Sequence, residues 1–159
     1  QYVEHSLRNE TPELNDNNVR LNAIGRTQDL PGRVQRALRD ALAATADNDG
    51  LLLNLALNYG GRTELVDACR QLAQQVQEGN LSVEDIDEER LSNALYTGGL
   101  PDPDLLIRPS GEQRLSNFLP WRTVYSEIYF TSVLWPDFGR NDLYEAIGAY
   151  QQRQRRFGE

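Results

Sequence analysis

The sequence predicts an α/β protein with a mostly parallel sheet flanked by helices. Three observations carry this. Two apolar runs, "LLLNLALNYGG" (51–61) and "DLLIRP" (104–109), are too short for ordinary helices and are closed by Gly or Pro. Other stretches place apolar residues at helical spacing. The two kinds of segment alternate along the chain, as strands and crossover helices do in a parallel sheet.

Taken in order, residues 1–18 are polar, hold Pro12 and the run "NDNN", and read as a helix end and a loop. "VRLNAIG" (19–25) alternates Val19, Leu21 and Ala23 against Arg20 and Asn22 and reads as a strand ended by Gly25. A helix follows, with Asp29 as N-cap, Pro31 in its first turn and Val34, Leu38, Ala41, Leu42 and Thr45 at helical spacing. The run at 51–61 reads as a buried strand, parallel and covered on both faces. The next helix spans about 62–77, with Leu65, Cys69, Leu72 and Val76 on one face. A loop leads to a short helix near 87–95. "DLLIRP" is a strand ended by Pro109. "WRTVYSEIYFTSVLWPDFG" predicts a short helix and then a strand near 127–131. The last helix starts at Asn141 as N-cap, with Leu143, Ile147, Tyr150 and Phe157 facing inward. There are no internal repeats and no low-complexity linker, so the 159 residues read as one structural unit, long enough for a real core.

Composition narrows the function. The net charge of −8 argues against non-specific nucleic-acid binding, although a local basic cluster can still hold an anion, because salt screens exposed charges beyond about 8–10 Å. One cysteine, Cys69, excludes an internal disulfide and suits a reducing, cytoplasmic compartment. No apolar run approaches the roughly 18 residues of a membrane span, and the opening "QYVEHSLRNE" has no signal-peptide core. The sequence starts at Gln1 and contains no methionine, which suggests a processed or truncated product.

The chemistry concentrates in "IRPSGEQRLSNF" (107–118). Ligands of open parallel sheets bind beyond the carboxyl ends of the strands, and Arg108 sits where a strand ends. Arg114 lies just past the turn. Guanidinium forks match phosphate oxygens, so Arg108, Arg114, Ser116 and free loop N–H groups form a candidate grip for a diphosphate. Glu112 and Glu127 would orient the arginines or help hold Mg²⁺, which takes carboxylate and phosphate oxygens together. On these residues alone a second reading stands beside the first: solvated surface ion pairs, worth about 0–1 kcal/mol. The pattern is not a P-loop. His5 has no partner motif, Cys69 reads as a small core residue, "EDIDEER" (84–90) as a solvated face, and "RQRR" (153–156) as a complement to a helix C-terminus.

A longer string decides between the two readings. "DLLIRPSGEQRLSNFLPWRTVYSEIYFTSVLWPDF" (104–138) resembles the signature of the cis-prenyltransferases, the undecaprenyl diphosphate synthase family: R-x-S-G-E-x-R-x-S-N-F, then W, Y-[SA]-E-x-x-F and W-P-D-F. "NVRLNAIG", "LNLALNYGGR" and "RQRRFGE" resemble further parts of such enzymes. The resemblance implies an undecaprenyl diphosphate synthase-like fold and a transferase that condenses isopentenyl diphosphate onto an allylic diphosphate, with Mg²⁺ as cofactor. It also implies a homodimer and a long-chain polyprenyl product that partitions to the membrane as a cell-wall lipid carrier. The enzyme would then be cytoplasmic and peripheral at the membrane. By position, Arg108, Arg114 and Ser116 match the residues that grip isopentenyl diphosphate, and Glu127 matches the acidic residue of the metal–diphosphate network. Arg156 and Gly158 match an R-x-G motif that reaches across the dimer. Asn58, Gly60 and Gly61 match a strand-end motif that shapes the site floor. Trp121, Phe130, Trp135 and Phe138 fall to core and dimer packing.

The sequence departs from the family at Pro109, Arg122 and Gln113, where Thr, Gln and, in some members, His are found. More importantly, the family's opening H-x-x-x-M-D-G-N-x-R motif, which binds the allylic diphosphate, does not occur here. The expectation is that residues 1–159 are the C-terminal part of one cis-prenyltransferase domain. They would lack the first strands and most of the prenyl tunnel and have little activity alone. The alternative is a non-catalytic partner subunit; the retained Arg108, Glu112, Arg114 and Ser116 argue against it.

Overall fold

The computed structural model describes residues 2–153. The chain falls into two compact units, one ending at Thr97 and one beginning at Gly98, where the sequence reads as a single unit. Each unit holds one pair of parallel strands, so the α/β class with parallel pairing stands.

In the first unit, β1 (Arg20–Ile24) pairs in parallel with β2 (Leu52–Ala56), Leu21 beside Leu53 and Ala23 beside Leu55. Side chains alternate across a strand. Leu21, Ala23, Leu53 and Leu55 therefore share one face, where they meet the helices α1 (Tyr2–Asp16) and α2 (Gly32–Ala44). Leu7, Ala37, Leu38 and Ala41 complete this core. Thr45, fully buried, ties α2 to the strand: its Oγ1 accepts the Leu21 N–H (3.1 Å) and donates to the Ala41 carbonyl (3.0 Å). The segment 51–57 is less covered than its apolar run implies, because Asn54 and Ala56 are exposed. On that side the register sets Asn22 against Asn54, and the Asn22 amide donates to Asn54 Oδ1 at 2.6 Å.

Several boundaries differ from expectation for local physical reasons. Residues 2–16 are helical despite Pro12. Proline cannot donate to the carbonyl four residues back, but Leu7 is buried and Leu14 packs on the same core, so burial holds the turn together. α2 is capped at Pro31 and not at Asp29, which closes a separate 3-10 turn, Thr27–Asp29. Leu30 is extended between them, as the residue before a proline prefers.

The helix α3 (Gly61–Gln77) buries Gly61, Glu64, Ala68 and Leu72. Leu72 is buried as expected, but Glu64 and Ala68 take the inner positions expected for Leu65 and Cys69, one residue or about 100° of helix rotation away, and Cys69 is exposed rather than a core residue. α4 (Glu88–Ala94) is capped by Asp87, whose carboxylate accepts the Arg90 N–H at 2.8 Å.

In the second unit, β3 (Leu105–Arg108) pairs in parallel with β4 (Glu127–Phe130), Leu105 beside Glu127 and Arg108 beside Phe130. Residues 120–125 form consecutive turns and not the expected short helix. α5 (Arg140–Gln151) is capped at Gly139, whose N–H donates to the Asp142 carboxylate (2.7 Å), so Asn141 is not the cap. Ala146 is its buried residue, while Leu143 and Ile147 reach solvent. Phe157 lies outside the described residues. Trp135 is 71% exposed and stacks on Phe138 at 5.9 Å, so it is not core in this chain. No helix of the described residues is long and apolar enough to cross a membrane.

Gly25 (φ +105°) ends β1 where a Cβ would stand 2.3 Å from the Leu57 carbonyl oxygen. Gly79 has a similar backbone (φ +74°) in open space. Gly25→Ala is expected to lower the unfolding free energy by about 2 kcal/mol or more, and Gly79→Ala by about 1 kcal/mol. Urea denaturation of both variants checks the difference.

Candidate functional site

The second unit carries the arginine loop. β3 delivers Arg108 to the carboxyl end of the strand pair. The chain then enters left-handed conformations at Ser110, Gly111, Ser116, Asn117 and Leu119. Each non-glycine member costs of order 1–3 kcal/mol, and such backbone persists only where its surroundings over-determine it. Two backbone bonds help do so: the Ser110 N–H donates to the Val133 carbonyl and the Gly111 N–H to the Thr131 carbonyl, both at 2.8 Å. These amides, expected to be free for an anion, are spent on holding the loop.

The loop brings Ser116 to Arg108, whose Nη2 donates to Ser116 Oγ at 3.2 Å. Arg108 Nε is buried and has no hydrogen-bond partner among the described residues. A buried unpaired donor costs about 1–3 kcal/mol, a cost that an acceptor arriving at the loop would relieve. Arg114 is exposed and ion-paired to Glu112. That pair is solvated and worth about 0–1 kcal/mol.

Glu127 stands apart. It opens β4, three register steps from Phe130, the partner of Arg108, which is about 10 Å along the strand. Its carboxylate accepts from Arg153 Nη1 at 2.6 Å. Among the described residues no group of three or more His, Cys, Asp or Glu side chains could hold a metal ion. Arg156 and Gly158 lie outside the described residues.

In the first unit, the predicted floor motif begins at Asn58, just beyond β2. Asn58 is left-handed (φ 49°) and is held from β1: the Arg26 N–H donates to its carbonyl (3.3 Å), and its Nδ2 donates to the Arg26 carbonyl (3.2 Å). Gly60 is the N-cap of α3 and Gly61 its buried first residue.

Around this turn lie residues that the sequence reading passed over. Arg26 meets Asp67 of α3 with two bonds, Nε to Oδ2 at 2.8 Å and Nη2 to Oδ1 at 2.7 Å. The Tyr96 hydroxyl donates to the same carboxylate, and the Tyr96 ring meets Tyr59 edge-on at 6.3 Å. The Tyr59 hydroxyl donates to Glu64, whose carboxylate is buried and keeps one oxygen, Oε1, without a partner. The one sequence signal was the place of Arg26, directly after a strand-ending glycine. Nothing in the sequence pairs it with a residue 41 positions later.

An apolar groove of about 480 Å³ runs between α1 and the strands, lined by Val3, Leu7, Leu14, Leu53, Leu55 and Leu57 among others. The resemblance places most of the prenyl tunnel, but not all of it, outside residues 1–159.

A parallel α/β framework with an arginine loop at a strand end is the class that this geometry defines. The family model described as "Putative undecaprenyl diphosphate synthase" matches residues 1–158, and the chain belongs to this prenyltransferase family. An isoprenyl transferase of Heliobacterium mobile is 53% identical over 152 residues, covering 96% of this chain and 58% of that protein. One of Bacillus subtilis (strain 168) is 53% identical over 155 residues, covering 98% and 60%. Among solved structures, lavandulyl diphosphate synthase from Lavandula x intermedia, in complex with dimethylallyl diphosphate, superposes with a TM-score of 0.95 at 42% identity. That match covers 99% of this chain and 68% of the other. The chain therefore spans about 60% of the length of these curated relatives.

The Asp67 contacts imply a pH dependence. Hydrogen bonds from Arg26 and then Tyr96 hold its carboxyl well below the usual carboxylate range. A depressed folded-state pKa gives stability that is complete above the unfolded value, about 3.9, and is lost as pH falls below it. The unfolding free-energy difference between the native chain and Asp67→Asn is expected to be constant above about pH 5 and to shrink below about pH 4. Denaturant titrations across that range measure it.

Proposed function

We propose that this chain forms part of a cis-prenyltransferase, which condenses isopentenyl diphosphate onto an allylic diphosphate to make a long-chain polyprenyl diphosphate. In each step the alkene of isopentenyl diphosphate attacks the allylic carbon. The allylic C–O bond breaks, diphosphate leaves with its electron pair, and loss of a proton forms the new cis double bond. The observation that carries the reading is Arg108: a family-matched arginine at a strand end, bonded to Ser116, with a buried Nε that still lacks an acceptor.

In this reading Arg108 and Ser116 hold the diphosphate of isopentenyl diphosphate, and Arg114 adds a mobile charge released from Glu112. They act by position. A fixed nucleophile converts a bimolecular encounter into an oriented one, and none of them needs to move a proton. The apolar groove beside α1 takes part of the prenyl chain, and Asn58, Gly60 and Gly61 floor its polar end. Glu127 is the residue that would hold Mg²⁺; one carboxylate suffices where diphosphate oxygens complete the shell. The ion, when bound, neutralises charge on the leaving diphosphate.

A homodimer belongs to the same reading. The second unit exposes Val124, Tyr125, Leu134, Trp135 and Tyr144, an apolar and aromatic set that a second copy would cover. Arg156 and Gly158 would then reach the partner's site. The enzyme would work in the cytoplasm, peripheral at the membrane that receives its product.

In the full-length enzyme, Arg108→Ala and Arg114→Ala are expected to weaken isopentenyl diphosphate binding by about 10- to 100-fold, the range for losing a charged hydrogen bond, and to leave farnesyl diphosphate binding nearly unchanged. Isothermal titration of both ligands decides; equal losses for the two would contradict the assignment. With radiolabelled isopentenyl diphosphate, the 159-residue chain is expected to turn over poorly, because the Asp-Gly-Asn motif is not in its sequence. Robust long-chain product would overturn that expectation.

A further inference from the structure

The polar turn at the end of the apolar groove is held by a cluster to which no role has been given. Leu57 is the last groove residue along the chain from β2, and Asn58 follows it directly. Asn58 adopts a left-handed backbone that a non-glycine residue keeps only under constraint. The constraint comes through Arg26, whose main chain makes two bonds to Asn58. Arg26 is in turn clamped by Asp67, and Asp67 by the Tyr96 hydroxyl. The Tyr96 ring returns to Tyr59, the residue after Asn58. The contacts thus close a ring around the turn: strand exit, α3, Tyr96 and the turn itself.

We propose that Arg26, Asp67 and Tyr96 are positioning residues that fix the Asn58–Gly61 turn, and with it the end of the groove that receives the head group of a prenyl diphosphate. The ligand in this statement rests on the function proposed above; the positioning does not. Arg26 is suited to the task because a bidentate guanidinium–carboxylate pair fixes orientation as well as distance. Asp67 and Arg26 keep about a quarter and a third of their side-chain surfaces exposed. The pair is therefore partly hydrated, and its removal leaves no fully buried charge behind.

The test uses the 15N-labelled chain as wild type, Asp67→Asn, Asp67→Glu and Tyr96→Phe. Amide exchange is followed at Arg26, Leu57 and Glu64, with Leu38 and Ala41 of the α2 core as internal references. Asp67→Asn is expected to speed exchange at Arg26 and Leu57 by about tenfold or more, the effect of losing a charged hydrogen bond, with the α2 references unchanged. Asp67→Glu restores part of the protection. Tyr96→Phe, which keeps the ring against Tyr59, gives a smaller change of the same pattern. Exchange at the turn within twofold of wild type in all three variants, or a uniform rise that includes α2, overturns the positioning role. Farnesyl diphosphate titrations on the same substitutions in the full-length enzyme test the ligand. Weakening by about tenfold in Asp67→Asn, with isopentenyl diphosphate affinity held, supports the full statement. Farnesyl diphosphate affinity within twofold of wild type in Asp67→Asn overturns the ligand assignment, while the exchange data still decide the positioning role.

Discussion

Gly25 brings the ends of β1 and β2 closer than any side chain would allow. Its missing Cβ is what lets the chain leave β1 against the Leu57 carbonyl. Because that approach is fixed, Arg26 lands beside Asn58, Asn58 is held left-handed, and α3 begins three residues later with Gly60 as its cap. The apolar groove on the α1 face therefore ends at a defined polar turn instead of a loose loop.

The second unit meets a similar demand by other means. Its parallel register carries Arg108 to the strand end, and a run of left-handed residues folds Ser116 back onto it. This backbone is costly, and the docking of Ser110 and Gly111 onto the segment after β4 is part of what offsets it. The loop spends backbone amides on its own shape and leaves the arginine side chain as the group available to a ligand. Arg108 Nε is buried without an acceptor among the described residues.

Much of this was legible in the sequence, because β2 and β3 are short apolar runs closed by Gly or Pro, and the arginine motif is long and specific. Residues 2–16 were misread because Pro12 and few apolar residues mask a helix that survives through Leu7 and Leu14. On α3, Leu72 is buried as read, but Glu64 and Ala68 take the inner positions read for Leu65 and Cys69. Leu65, Cys69 and Val76 outweigh Glu64 in any hydropathy reading, yet Tyr59 draws the Glu64 carboxylate inward. Arg26 and Asp67 were invisible for a related reason. Each reads as a solvated charge, and only the fold brings them together across 41 positions. Motif order does not give distance, and parallel pairing sets Glu127 at the other end of the strands from Arg108.

The central claim is that the arginine loop takes a diphosphate through Arg108. The arginine Nε–H resonance of Arg108, followed in the 15N-labelled chain during titration with isopentenyl diphosphate, tests it most directly. The account predicts a saturable downfield shift as the unpaired Nε gains an acceptor, and no shift with the uncharged alcohol isopentenol. A resonance that stays in place through saturating isopentenyl diphosphate, or that moves equally with isopentenol, would contradict it.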